Sequence, residues 1–495
     1  MGFTTLDYII VIAYLIGVAI FGVVSGGKQT STRDYFLGSK SIPWWAVCFA
    51  IVATETSTLT FISIPGLAYA TNLNFLQVTF GYLLGRIVVS RVLLPAYAKG
   101  ELVTAYQLLD QRYGPRMRNL ASITFMFTRV LADGVRLFAT AIPVAILMKG
   151  WQAFAGVPNE QVYVFSILAM AAITITYTFL GGVRAVVWTD VVQMFVYLGG
   201  AIGAMIVILQ GIPENVHIPA EKFSILNLGV GWDIFSSPYT LVASVIGGAF
   251  LSMASHGTDQ IIVQRLLTVR SLKESQRALV GSGVIVIVQF LVFLLIGLLL
   301  YAYYGGAALS DLGLAKADEI FPKFIIESMP SGLSGLIIAG LLAAAMSTLS
   351  GSVNSLASAT MNDIYKPYFG RNNTDAKDLL LSRVFSLMWC LLLVCVAIFF
   401  IRGTSKALVE LALSIASVTY GGLLGTFLLA VLFKNTKQRD AIAGFAAGII
   451  VMVFIVSQTT IAWTWYTFIG TGATLLVGNL TSIVSARRPE ARDNR

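Results

Sequence analysis

Ala53-Thr54-Glu55-Thr56-Ser57-Thr58-Leu59-Thr60 interrupts an apolar stretch that otherwise runs from residue 42 to residue 70. A carboxylate and five hydroxyls at mid-membrane depth are costly, because every polar group in lipid needs a partner. Such a run survives where it lines a cavity or holds a ligand. The sequence therefore predicts a membrane helix broken in its middle. A second run of small and hydroxyl residues lies far along the chain, Ala343-Ala344-Ala345-Met346-Ser347-Thr348-Leu349-Ser350-Gly351-Ser352. Two such segments on separate apolar spans are what an ion-coupled carrier needs at its centre.

The surrounding composition agrees. With 57% hydrophobic and 12% charged residues over 495 positions, the chain is read as a polytopic α-helical membrane protein rather than a soluble globule. The apolar stretches run well past about 18 residues without period-two alternation, which disfavours an outer-membrane barrel. Thirteen spans are expected, at about 6–25, 42–70, 72–97, 118–148, 161–180, 184–210, 239–264, 278–304, 331–359, 379–401, 407–433, 440–457 and 463–485. The first begins at Leu6 without a basic leader and is read as a retained helix.

Placing the N-terminus outside puts 23 Lys and Arg on the inner side, from Lys28 and Arg33 through Arg265 and Arg270 to Arg488, Arg492 and Arg495. Only Lys149, Lys222, Lys316, Lys323, Arg402 and Lys406 remain outside. That asymmetry supports an inner-membrane protein with its C-terminus in the cytoplasm, and it explains the net charge of +9 without a nucleic-acid partner. The lipid bilayer and a small solute are the expected partners, with no obligatory protein partner.

The chain divides into a flanking helix and loop (1–41), a first set of five helices whose first member is broken (42–211), an outside loop (212–238), a second set of five (239–434), and two C-terminal helices with a basic tail (435–495). The two sets enter the membrane in opposite directions, the pattern of inverted repeats with a binding site between them. Other chemistries are set aside. No phosphate-binding Gly-rich loop is present, so no ATP motor of that type is expected, and no enzyme activity is read. Cys48, Cys390 and Cys395 lie in apolar spans without metal-ligand spacing, and His217 and His256 are too scattered for a metal pair.

Several stretches resemble the sodium/solute symporters, a family that includes sodium-coupled glucose, proline, iodide and sialic acid carriers. The resemblance rests on Asp34-Tyr35-Phe36-Leu37-Gly38-Ser39-Lys40-Ser41-Ile42-Pro43-Trp44-Trp45, on Gly181-Gly182-Val183-Arg184 running to Trp188-Thr189-Asp190-Val191-Val192-Gln193, on Thr258-Asp259-Gln260 running to Gln264-Arg265, on Ile337 to Ser358, and on Met361-Asn362-Asp363. It implies the LeuT-type fold of two inverted five-helix repeats with flanking helices. It also implies sodium at the carbonyls of Ala53, Thr56 and Ala344 and the hydroxyls of Ser347 and Thr348. Unwound carbonyls and hydroxyls supply the oxygens a hard cation prefers. Asp190 and Ser350 match a second sodium position of some relatives, but Gly351 stands where its third hydroxyl belongs, so Asp190 serves either a second ion or the surroundings of the first.

The same resemblance borders a solute cavity with Glu55, Ser57, Thr60, Phe75, Thr79, Arg136, Ser252, His256 and Gln260. Arg129, Asp133 and Arg136 share one helical face, with Glu55 at similar depth. Either Arg136 or Glu55 meets a charged group on the solute, or these four charges satisfy one another. Ser255-His256-Gly257 stands where sugar-carrying relatives show Tyr-Trp-Gly, which removes an aromatic stacking surface and disfavours glucose and galactose. The expected activity is sodium-coupled import of a small polar solute (sugar, organic acid, amino acid or vitamin) by alternating access. Proton coupling through Asp190 or Glu55 is the alternative, and an ion channel or a non-transporting membrane sensor the reading from another class.

Overall fold

In the computed structural model, residues 4–100, 102–149, 154, 156–401 and 408–487 are described. Among them every regular element is helical. The principal helices are α1 (Thr5–Gly26), α2 (Trp44–Glu55), α3 (Thr58–Ala70), α4 (Leu76–Val92), α5 (Pro115–Lys149), α6 (Asn159–Gly211), α7 (Gly248–Gly257), α8 (Gln260–Leu266), α9 (Leu272–Tyr303), α10 (Leu333–Ala359), α11 (Asp375–Ile401), α12 (Leu408–Leu432), α13 (Gln438–Gln458) and α14 (Tyr466–Arg487). Arg402, Lys406, Arg488, Arg492 and Arg495, used above for orientation, lie outside the described residues.

The predicted break falls between α2 and α3. Thr56 leaves helical geometry (φ −83°, ψ 98°), and Ser57, also extended, accepts a hydrogen bond from the Thr60 amide at 3.3 Å as the N-cap of α3. The Thr56 hydroxyl turns back to the Val52 carbonyl at 2.9 Å, so the side chain caps the helix it ends. Gln289 of α9 donates to that hydroxyl at 2.5 Å, and Tyr197 of α6 donates to it at 3.3 Å. Two distant helices thus hold the break open.

A second discontinuity divides α6. Its 53 residues would extend roughly 80 Å if straight, far more than the ~30 Å of a bilayer core. Gly182 reverses it with φ 56° and ψ −153°, and a Cβ there would lie 2.4 Å from the Tyr35 carbonyl, so both the torsion and the space require glycine. This reversal sits between the fifth and sixth predicted spans. Joining α2 to α3, dividing α6 at Gly182, and joining the helical pieces between 243 and 266 gives thirteen helical segments among the described residues, where eight helices, α6 counted once, are long and apolar enough to cross a membrane.

A third break was not expected. The sequence predicts a continuous seventh span, but Thr258 and Asp259 separate α7 from α8, and Asp259 caps α8 by accepting from the Ile261 amide at 3.0 Å. The Gly257 carbonyl left at this break accepts from Tyr97 Oη at 2.5 Å.

Helix α10 and its continuation are the centre of the bundle, with 94% of the most apolar window buried. Small residues make this possible. A Cβ on Gly340 would lie 2.9 Å from Tyr197 Cα, and one on Gly335 would lie 2.7 Å from Asp7 Cα, so α10 packs backbone to backbone against α6 and α1. The Asp7 carboxylate accepts from the amides of Gly332 and Gly335 and from Ser334 Oγ, closing the start of α10.

Candidate ion and solute site

The break between α2 and α3 lies against α10. Thr58 Oγ1 donates to the Leu341 carbonyl at 3.1 Å, and Thr54 Oγ1 lies 3.5 Å from Asp190, the carboxylate that also accepts from Ser347 Oγ at 2.7 Å. These contacts bring the C-terminal end of α2 to the turn of α10 carrying Ala344, Ser347 and Thr348. The last carbonyls of a helix have no intrahelical amide partner. In α2 these include Ala53, whereas Val52 is satisfied by the Thr56 amide. Opposite them, Thr348 Oγ1 donates to the Ala344 carbonyl at 3.1 Å, leaving its own lone pairs free to accept. All of Ala53, Thr56, Ala344, Ser347 and Thr348 are buried. Their oxygens suit a hard monovalent cation without a carboxylate in direct contact.

Asp190 is already balanced. Arg265 Nη2 donates to it at 2.8 Å and Nε at 3.3 Å, and both residues are buried. The guanidinium occupies the space beside Gly351, where a Cβ would lie 2.8 Å from Nη2. Arg265, counted above among loop charges, is therefore spent inside the protein. Ser350 Oγ donates to the Ser347 carbonyl at 3.1 Å.

A cavity adjoins this region, lined by Ser57, Thr58, Asp133, Arg136, Leu137, Thr140, Ala345, Thr348 and Leu349. Asp133, Arg136, Leu137 and Thr140 follow the spacing of one face of α5, and Thr348, whose hydroxyl belongs to the candidate ion site, also lines the cavity. Arg136 keeps 26% of its side-chain surface accessible, whereas Asp133 keeps 2%. Asp133 Oδ1 accepts from Arg136 at 3.2 Å and from Arg129 at 3.3 Å. Arg129 also bonds Asp259, and it donates to Tyr420 Oη at 2.6 Å.

Of the residues expected to border the solute, Ser57 and Arg136 line this cavity. Thr60 sits behind Ser57, with their hydroxyls 3.3 Å apart. Phe75 stacks on Phe290 at 5.3 Å, Thr79 Oγ1 donates to the Leu76 carbonyl, and Gln260 is held by the Val103 carbonyl and the Ala105 amide. Glu55 pairs with Arg86, which in turn donates to Ser282 Oγ at 2.8 Å. His256 Nε2 approaches Glu55 at 3.6 Å, and Ser252 is buried on the same helix as His256. Of Arg129, Asp133, Arg136 and Glu55, the first three pair with one another, and Asp259 supplies the second negative charge that balances the two arginines. Glu55 takes its partner, Arg86, from α4, and the signal for it in the sequence is a pair of arginines, Arg86 and Arg91, inside the third apolar span.

With the geometry in view, comparison with known proteins is direct. The chain is 29% identical to the sodium/sialic acid symporter of Aliivibrio fischeri over 97% of its own length and 93% of the relative's. It is 27% identical to the sodium/sialic acid symporter of Proteus mirabilis, over 97% and 95%. The solved structure of a Na+-coupled sialic acid symporter in a substrate-bound, outward-open state superposes with a TM-score of 0.86 at 26% identity, covering 97% of this chain and 98% of that one. The LeuT-type arrangement expected from the sequence is the fold found. Residues 35–448 match the model of the sodium:solute symporter family, and the chain belongs to that family: it is a multi-pass, sodium-coupled symporter and not an enzyme.

Proposed function

We propose that this symporter carries a small polar solute bearing a carboxylate, an acidic sugar of the sialic acid kind, and that the solute's carboxylate is received by Arg136. The observation that carries this reading is a cationic side chain facing a cavity that shares Thr348 with the candidate sodium site. Sodium is ligated by the carbonyls of Ala53, Thr56 and Ala344 with Ser347 and Thr348, and Asp190 orients Ser347. A hydroxyl that donates to a carboxylate turns its lone pairs the other way, toward the ion.

Charge balance explains the coupling. The charges at and beside the cavity, Arg129 and Arg136 against Asp133 and Asp259, sum to zero. A carboxylate alone leaves one uncompensated negative charge, and sodium alone leaves one positive charge. Together they restore neutrality. At an effective dielectric near 20, unit charges ~6 Å apart attract by about 3 kcal/mol, enough for each ligand to raise the other's affinity by roughly a hundredfold. Glu55 does not serve this purpose, being neutralised by Arg86.

The charge asymmetry of the loops sets the orientation, with the N-terminus outside and the C-terminus in the cytoplasm of an inner membrane, and the inward sodium gradient sets the direction of transport. One sodium ion and one carboxylate cross together with no net charge, so the membrane potential does no work on the pair and the sodium concentration gradient drives accumulation, a tenfold gradient supplying about 1.4 kcal/mol and roughly tenfold accumulation. Proteoliposomes given an inward sodium gradient test the reading. N-acetylneuraminate is expected to accumulate and N-acetylmannosamine, which lacks the carboxylate, is not. Equal uptake of both, or uptake indifferent to sodium, would overturn the proposal.

A further inference from the structure

A buried polar cluster adjoins the cavity through Asp133, one turn of α5 toward the N-terminus of that helix. There Arg129, Asp259 and Tyr420 join three separate helical segments: α5, the α7–α8 break and α12. Arg129 Nε donates to Asp259 Oδ2 at 3.1 Å, Arg129 Nη2 bonds the same oxygen and donates to Tyr420 Oη at 2.6 Å, and Tyr420 Oη donates to Asp259 Oδ2 at 2.9 Å. All three are buried. The same helices that line the cavity, α5 and α10, continue past this point, and Ser352 of α10, one turn beyond Thr348, donates to Asp133 Oδ2 at 2.5 Å. A break in a membrane helix stands only where protein or a polar cavity satisfies its backbone. The break at Thr258–Asp259 is therefore the natural place for the passage to open, and Arg129 with Tyr420 holds it shut.

We infer that Arg129, Asp259 and Tyr420 form the gate beneath the solute cavity, and that Asp133 reports the cavity's occupancy to it. Asp133 Oδ1 divides its attraction between Arg136 and Arg129, at nearly equal distances. Arg129 in turn divides its attraction between Asp133 and Asp259. A carboxylate that draws Arg136 away leaves Asp133 with a single arginine, which it then attracts more strongly. The attraction comes at the expense of Asp259, and the break between α7 and α8 is released. The second half of this inference rests on the carboxylate reading above; the first half does not.

Hydrogen–deuterium exchange of the full-length protein in nanodiscs tests both halves. In sodium without solute, Tyr420→Phe and Asp259→Asn are expected to speed exchange of the amides from 258 to 266 by at least about threefold, the loss of one or two buried hydrogen bonds at an opening that is local. Exchange across α13 should stay unchanged. No acceleration in either variant overturns the gate, and acceleration spread equally over α13 overturns it by marking a general loss of stability. N-acetylneuraminate, the probe for the second half, should speed exchange of the same amides in the wild type. In Asp133→Asn it should bind without that effect. A response that persists in Asp133→Asn overturns the relay. No binding of the probe to the wild type overturns the carboxylate reading instead, and the sodium-only comparison still decides the gate.

Discussion

Ser347 Oγ donates to the Asp190 carboxylate at 2.7 Å, while Arg265 grips the other oxygen of that carboxylate at 2.8 Å. The acid is thereby fixed in place, and in the proposed ion site it turns the Ser347 hydroxyl so that its lone pairs face the carbonyl end of α2. Replacing Asp190 by Asn keeps an acceptor for Ser347 but leaves the Arg265 charge uncompensated near the ion. The sodium concentration for half-maximal uptake should rise about tenfold, equivalent to ~1.4 kcal/mol. Ser347→Ala combined with Thr348→Ala should raise it at least as far. Both are read from the sodium dependence of uptake at saturating solute, and an unchanged dependence in the double variant would remove these hydroxyls from the ion site.

The pair of Glu55 and Arg86 has a structural signature. Arg86 is fully buried and its Nε finds no partner, so Glu55 is its principal compensation. Glu55→Gln should cost about 3–5 kcal/mol, because an arginine is left uncompensated inside the protein, and Glu55→Gln with Arg86→Gln together should recover much of it. Thermal unfolding of the detergent-solubilised variants distinguishes this outcome from a direct solute contact. In the latter case the single variant would keep its stability and lose only binding.

Lys222 ties the loop between the two five-helix sets to the end of α3. Its ammonium donates to the carbonyls of Tyr69 and Thr71 at 2.6 and 3.2 Å and lies 4.2 Å from the centre of the Tyr301 ring. A cation at a helix C-terminus satisfies orphan carbonyls and complements the dipole. Lys222→Met should lower the thermal midpoint by roughly 2 °C and leave sodium half-saturation unchanged. A shift in sodium affinity would mean that this contact takes part in the transport cycle.

Much of the architecture was legible because membrane burial imposes long apolar runs, and interruptions within them stand out. The α2–α3 break announced itself by a carboxylate among hydroxyls, and the reversal at Gly182 by a glycine pair between two apolar stretches. The break at Thr258–Asp259 carried the same kind of signal, an aspartate in an apolar span, but the run of polar residues was too short to register. Partner choice was the less legible part. Arg86 could not be assigned to Glu55, nor Arg265 to Asp190, because each pair joins helices remote in sequence and spacing on one helix constrains only neighbours three or four residues apart. Nor does spacing along one helix show that Phe75 stacks on Phe290 of α9 or that Gln260 bonds the Val103 carbonyl.

The central claim is that sodium and a carboxylate neutralise one another across Thr348 and Arg136. Titration calorimetry with N-acetylneuraminate and its uncharged methyl ester, each in sodium and in potassium, addresses it most directly. The account predicts that the acid binds in sodium at least about a hundredfold more tightly than in potassium, that the ester loses this dependence, and that Arg136→Ala loses the acid. Equal affinity of acid and ester, or binding of the acid that ignores the cation, would contradict it.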